Sequence, residues 1–530
     1  MGQFIEYRAG TRTDEVTVLL AEHYGRSASL GAEARLDAAE LDPIRAAARR
    51  FLEAAGDTAA RVFSNEEAVG HYTAALETLD DPADRARVAD KQGHAALRLG
   101  RTELALEAWR ACLEHHEAQA ELAPVGDTLR SIASALVQRG ERRTAIEHLQ
   151  RGMNLLKDGP ASRELVRLYE DAAWLYVQSG DNMLAIYASE KALRIAQQLG
   201  EATAVSRAHG IFGRVFSRIG DAERARENLR KAVDSARGAD DPLEEVLALI
   251  ALGGHLEVSE ADYADAGDAY EEALGVAERI GDVASQVELH SALAQLAVLR
   301  ADWDDVQRLS ERSAELAEGA GLVLKLCLPY VLTGLLSWRV GDWNEAETSY
   351  RRAVELAEDV GWSEVAFAAL YGLSVTQRDR GDLEGASASL DRGLTIAERG
   401  GLTVQVILAL AGRAVVLTLV GRLDEAATAA GEAADTCRRL RSPVGEVATL
   451  EAEGATAPPD QVASLLNRAR DGWLGLGRPL DAARCELLVA MLSVGSNPRE
   501  AARASAAAAE AFERLGVAHL ATRARELVVP

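Results

Sequence analysis

Seven arginines carry the clearest suggestion of chemistry in this chain: Arg87, Arg98, Arg130, Arg167, Arg207, Arg214 and Arg218. Each stands at one of a few fixed distances before a recurring turn, so all seven fall on one face of successive helices. Planar guanidinium groups gathered on one face bind carboxylates or phosphates bidentately. His94 and Trp174 share these columns, as do the acids Asp90 and Glu170, which with Asp127 offer the arginines internal partners instead. Further along, the same columns hold Trp338, Tyr371 and Arg378 among Leu328, Val331, Leu335, Leu408, Val415 and Leu419. A solvated face should not be this apolar. Either the helices close tightly over it, or a helix or second subunit lies on it.

Other chemistry is hard to find. The chain has no G-x-x-x-x-G-K-[ST] phosphate loop, no G-x-S-x-G, no H-E-x-x-H and no calcium loop. His115 and His116 adjoin just after a helix, and read as a solvated helix end, because a zinc site needs three or four converging ligands. Cys112, Cys327, Cys437 and Cys485 are scattered without a C-x-x-C pair, a pattern of reducing compartments. Serine, cysteine and histidine show no triad-like spacing. We expect no cofactor and no metal. The 58 basic and 83 acidic residues give a formal charge of −25, which opposes general binding to nucleic acid or anionic membranes. Residues 402–420 are apolar enough to raise a membrane question. Arg413 in their midst, and their register as a repeat helix, argue against it. The first residues show no secretion signal, so a cytoplasmic location is expected.

The elements that position these residues are set by a repeat. The turn reads GRTELA at Gly100, GERRTA at Gly140, GDNMLA at Gly180 and GDAERA at Gly220. It weakens to ADYADA at Ala261 and ADWDDV at Ala301, then returns at Gly341, Gly381 and Gly421. The period is 40 residues, with one slip of a single residue between Gly220 and Ala261. Small residues stand seven before the turn (Gly93, Gly213, Gly254, Gly334), five after it (Ala105, Ala225, Ala346) and twelve after it (Cys112, Ala232, Ala353). Such columns let helices approach closely, while large residues between them fill the gaps. Aspartate in the turn should cap the following helix. Trp303 and Trp343 should pack between neighbouring units.

This small–turn–small–small pattern resembles the tetratricopeptide repeat, lengthened from its usual ~34 residues. The expected fold is all-α: a right-handed superhelical solenoid of antiparallel helix pairs, about 40 residues per unit. We expect a helical lead-in over 1–42, the superhelix over 43–453 and degenerate repeats with a capping helix over 454–530. Weaker chemistry places Gly56, Phe63, Ala68, Tyr72 and Ala75 in the same columns, making 43–79 an early unit. The last helices should span about 479–494, 498–515 and 518–529. Gly454, Pro458 and Pro459 mark a break in the period, and a joint there.

A narrower resemblance lies in the flanks. Residues 13–24 (TDEVTVLLAEHY), 48–57 (ARRFLEAAGD) and 64–76 (SNEEAVGHYTAAL) look like the junction where large bacterial STAND-class signal-transduction ATPases pass into a repeat sensor. Residues 473–484 (WLGLGRPLDAAR) and 511–527 (AFERLGVAHLATRAREL) resemble the end of that sensor. Similar sensors occur in LuxR-type and maltose-type regulators. The family's ATPase would precede Met1 and a DNA-binding element would follow Pro530, so the expectation is an excised sensor half or a stand-alone relative. What the resemblance implies is a non-enzymatic scaffold whose concave groove binds a protein, an acidic peptide or a ligand. A stand-alone adaptor or peptide-pheromone receptor is the alternative, and an enzyme the third reading. The apolar later repeats suggest a homo-oligomer as well.

Overall fold

The computed structural model describes residues 2–9, 16–61 and 64–527. Phe63 and residues 13–15 of the first flanking motif lie outside the described residues, as does the end of the closing helix at Val529. The described residues form 27 α-helices and no strand, and 86% of them are helical. Successive helices run as antiparallel pairs, from Thr17–Glu33 with Ala38–Arg61 to Pro479–Ser493 with Pro498–Arg514. The first repeat helix starts at Ala38, upstream of Pro43, because the Asp37 carboxylate accepts from the Glu40 N–H at 2.9 Å and caps it there.

Turn chemistry explains the regularity. Gly100, Gly140, Gly180, Gly220, Gly341, Gly381 and Gly421 all have φ between 72 and 98°, the left-handed cap that ends a helix. Ala261 and Ala301 take the same conformation at φ 56 and 59°, so the weakened turns keep the geometry at the cost of some strain. The next residue starts the following helix. Asp221, Asp262, Asp302, Asp342 and Asp382 each accept from the backbone N–H three residues on, at 3.0–3.4 Å.

The small columns are contact points. A Cβ on Gly93 would lie 2.7 Å from the Trp109 ring, on Gly213 2.4 Å from Leu229, and on Gly334 2.9 Å from Tyr350. One column assignment needs correction. Gly253, not Gly254, meets the Tyr270 ring, at 2.5 Å against 3.8 Å. The cause is a π-helical turn over Leu256–Glu260. It takes up the one-residue slip of the repeat after the contact has been made.

The helices fall into two compact units, Met1–Leu175 with Arg194–Leu199, and Tyr176–Leu193 with Gly200–Pro530. Thr403–Val420 and Val323–Val340 are long and apolar enough to cross a membrane by composition. In the fold Thr403–Val420 packs as a repeat helix, with Ile407 and Ala414 fully buried and Arg413 paired to Asp391 at 2.8 Å.

Candidate functional site

In the first unit the arginine columns are built but shared with acids. Arg87 pairs with Glu53 and, at 2.8 Å, with Asp84. Arg130 reaches Asp171 at 3.5 Å and Asp127 at 3.8 Å. His94 stands 3.6 Å from Asp90 and sets its ring edge-on to Trp109 at 5.2 Å. Burial lifts the Asp127 carboxyl above its usual range, against the charges of Arg130 and Arg167. Arg98, Arg167 and Trp174 are exposed, the indole by 38%. The face is thus a mosaic of both signs around one accessible aromatic, not a basic strip.

The second unit uses the same columns to close on itself. Arg218 donates to the carbonyl of Val177 and, at 2.7 Å, to that of Gly400. Gly400 is the final residue of its helix, where carbonyls lack partners and the helix dipole is negative. Beside it, Gly220 lies so near Leu440 that a Cβ would stand 2.7 Å from its carbonyl oxygen. Val258 and Ala261 join hydrophobic clusters with Val404, Leu440, Val444 and Ala448. Arg207 approaches Glu244 at 4.0 Å. Burial pulls the Arg214 guanidinium below its usual range, countered by Glu364 and Glu288.

Trp338, Tyr371 and Arg378 do not line an open groove. Helices Pro479–Ser493 and Ala518–Glu526 pack on Trp338 through Leu480, Ala483, Leu520 and Ala521, Arg523 reaches the Arg378 carbonyl at 3.4 Å, and Tyr371 is half-buried among Phe367, Leu390 and Val416. Trp338 is fully buried and donates from Nε1 to Asp379 at 3.0 Å. Arg484 sits 4.9 Å over its ring, and His519 meets it edge-on at 5.4 Å and Trp343 at 4.8 Å. Arg378 pairs with Asp379 at 3.1 Å, Arg484 with Asp481 at 3.5 Å, and Arg478 with Asp481 at 2.7 Å. Arg523 donates to the Asp379 carbonyl at 2.9 Å. Burial alone would raise the Asp379 and Asp481 carboxyls. The surrounding arginines outweigh it and hold both below the usual range. Trp303 packs in one cluster with Ala297, Trp338 and Ala346 of adjoining helix pairs, and it also donates to the Leu515 carbonyl at 2.6 Å.

Sequence reasoning missed Asp379, Asp481, Arg484 and His519 as members of one cluster. Three of them belong to the C-terminal segments that carry the family resemblance, which was the available signal. It also missed a serine–histidine–glutamate chain. Ser217 Oγ lies 2.7 Å from His255 Nδ1, and His255 Nε2 lies 2.8 Å from Glu260. The imidazole is buried, Ser217 Oγ also reaches the Gly213 carbonyl at 2.9 Å, and Arg226 grips Glu260 at 2.6 Å. The chain links three helices and holds the π-helical turn, and we assign it that structural role.

No family model matches the chain, and no curated protein matches it. Among solved structures, similar ones include a Rap protein complexed with competence and sporulation factor (14% identity, 66% of this chain and 98% of that one, TM-score 0.48). Others are a STAND protein with a tetratricopeptide repeat sensor from Pyrococcus horikoshii (18%, 61% and 52%, TM-score 0.36) and yeast Tom70 (16%, 86% and 98%, TM-score 0.35). The likeness lies in the repeated helix pair. The fold itself, with its left-handed turns and small columns, defines a scaffold of tetratricopeptide-like helix pairs.

Proposed function

We propose that this chain is a regulatory binding scaffold, the sensor portion of a STAND-type signalling or transcription regulator acting in the cytoplasm. Its first unit receives a protein or peptide segment. One observation carries the reading. Trp174 is 38% exposed, whereas Val415, in the same repeat column of the second unit, is 4% exposed. An accessible indole amid arginine–carboxylate pairs offers an apolar anchor with charges that fix orientation. The favoured partner is a segment with one large apolar side chain flanked by acidic residues, which compete with Asp127 and Asp171 for Arg130 and Arg167.

The purified chain should capture such a segment from lysate. The captured peptide's affinity should then fall about tenfold or more on Trp174→Ala, and likewise on Arg130→Glu with Arg167→Glu. Melting temperature should change little. Unchanged affinity for both variants at low salt, where screening is weakest, removes this face as the site.

A further inference from the structure

We infer that His115, His116 and Glu121 form a site for a transition-metal ion of the zinc, cobalt, nickel or copper class. The helix Thr102–Ala118 carries both histidines in its last turn, inside the helix and not after it. The chain then reverses. Gln119 N–H donates to the His115 carbonyl at 3.1 Å, Ala120 takes a left-handed φ of 56°, and Glu121 N–H donates to the His116 carbonyl at 3.0 Å. That reversal brings a third donor to a pair that sequence spacing left with two. Glu121 Oε2 lies 2.8 Å from His116 Nδ1, and one donor atom from each residue falls within 4.8 Å of the other two.

The dimensions suit a metal. Bonds of about 2.0–2.2 Å around a tetrahedral ion set neighbouring donors roughly 3.3–3.6 Å apart. The His116–Glu121 pair needs to open only slightly to admit the ion, and His115 needs a side-chain rotation toward it. The two imidazoles already sit with centroids 5.4 Å apart and planes at 66°. The negative end of the helix dipole points at the site and favours a cation. Both histidines are half-buried, so less side-chain freedom is lost on binding than at an open surface.

The donor set decides which ion. Two imidazoles and one carboxylate favour borderline ions, and magnesium and calcium prefer oxygen alone. An ion and a proton compete for the same imidazole nitrogens, so binding weakens as pH falls. Three protein donors leave a fourth position for water or for a carboxylate or imidazole from another molecule. The inference does not depend on the peptide-binding reading, and its test involves no peptide.

Zinc chloride titrated into the full chain by calorimetry at pH 7.5 should reveal one saturable site, with a parallel rise in melting temperature. Magnesium chloride should give neither. His115→Ala, His116→Ala and Glu121→Gln should each weaken zinc binding by about tenfold or more, and abolish the rise in melting temperature. Circular dichroism should show all three variants folded, because the residues lie at a surface turn. The inference is overturned if wild-type chain takes up no zinc, or if the three variants bind it as tightly as wild type. The latter outcome would place the ion among the chain's other histidines.

Discussion

Arg218 and Gly400 are 182 positions apart in sequence, yet the guanidinium Nη2 of one donates to the carbonyl of the other at 2.7 Å. Arg218→Ala leaves the Gly400 and Val177 carbonyls without this donor, and should cost about 1–3 kcal/mol. Gly220→Ala should cost a similar amount for two reasons: its φ is +81°, and a Cβ would meet the Leu440 carbonyl oxygen. Gly421→Ala is the control, because its φ is +87° with open space around it. Denaturant melts should therefore rank Gly220→Ala clearly below Gly421→Ala. Equal midpoints would mean that the closure contributes nothing.

A paired substitution tests the repeat register. Gly253→Ala places a methyl 2.5 Å from Tyr270 and should destabilise by about 1–3 kcal/mol through overpacking. Gly254→Ala meets only the Tyr270 hydroxyl at 3.8 Å, and should be neutral or stabilising by about 0.5–1 kcal/mol through helix propensity. If the two swap rank in thermal melts, the π-helical turn has been placed on the wrong side of the contact.

Asp379 is the charge on which the C-terminal helices converge. Its side chain is 3% exposed and faces Arg378, Arg484 and the Trp338 indole. Asp379→Ala strands buried guanidinium groups and should cost about 3–5 kcal/mol. Asp379→Asn keeps an acceptor for Trp338 and should cost less. Limited proteolysis should cut first within 518–526 in the alanine variant, since the carboxylate charge that attracts Arg523 and His519 is gone. Cleavage that begins elsewhere at an unchanged rate would contradict this.

Glu257 gives stability a pH dependence. Burial lifts its carboxyl to about 7, against the hydrogen bond it accepts from Tyr270 and the charge of Arg478. In the unfolded chain the group titrates near 4.3, so the folded form binds the proton more tightly. The resulting stabilisation is complete below about pH 4 and is lost as pH rises through about 7. Glu257→Gln should flatten that fall. Melting temperatures at pH 5 and pH 8 for both proteins check it, and an unchanged difference between the two pH values would refute it.

What could be read from the sequence follows the range of the forces involved. The turn glycines, the capping aspartates and the small columns act over a few residues, so their spacing is visible in the chain. The slip before Ala261 was visible too, but not that a π-helical turn absorbs it. Choosing between Gly253 and Gly254 requires knowing on which side of the contact the extra residue falls. Trp338, Tyr371 and Arg378 stood out as too apolar for a groove. What covers Trp338 lies more than a hundred residues downstream, and no periodicity links His519 to Trp338. Conversely, the His115–His116 pair was legible as two donors, while the third depends on the left-handed bend at Ala120.

The contact between Arg218 and Gly400 bears on how the second unit is made. In an open array of helix pairs each unit touches only its neighbours, so folding can begin anywhere and the ends can fray one pair at a time. Here the hairpin that carries Gly220 cannot complete its contacts until the chain beyond Leu440 exists. Ordering that long intervening segment precedes any return from the closing contacts, which slows the search. On the ribosome, the early pairs of this unit would wait with part of their surface uncovered. Deleting pairs from its far end should loosen the near end as well, so the unit melts as a block where a linear array would unravel.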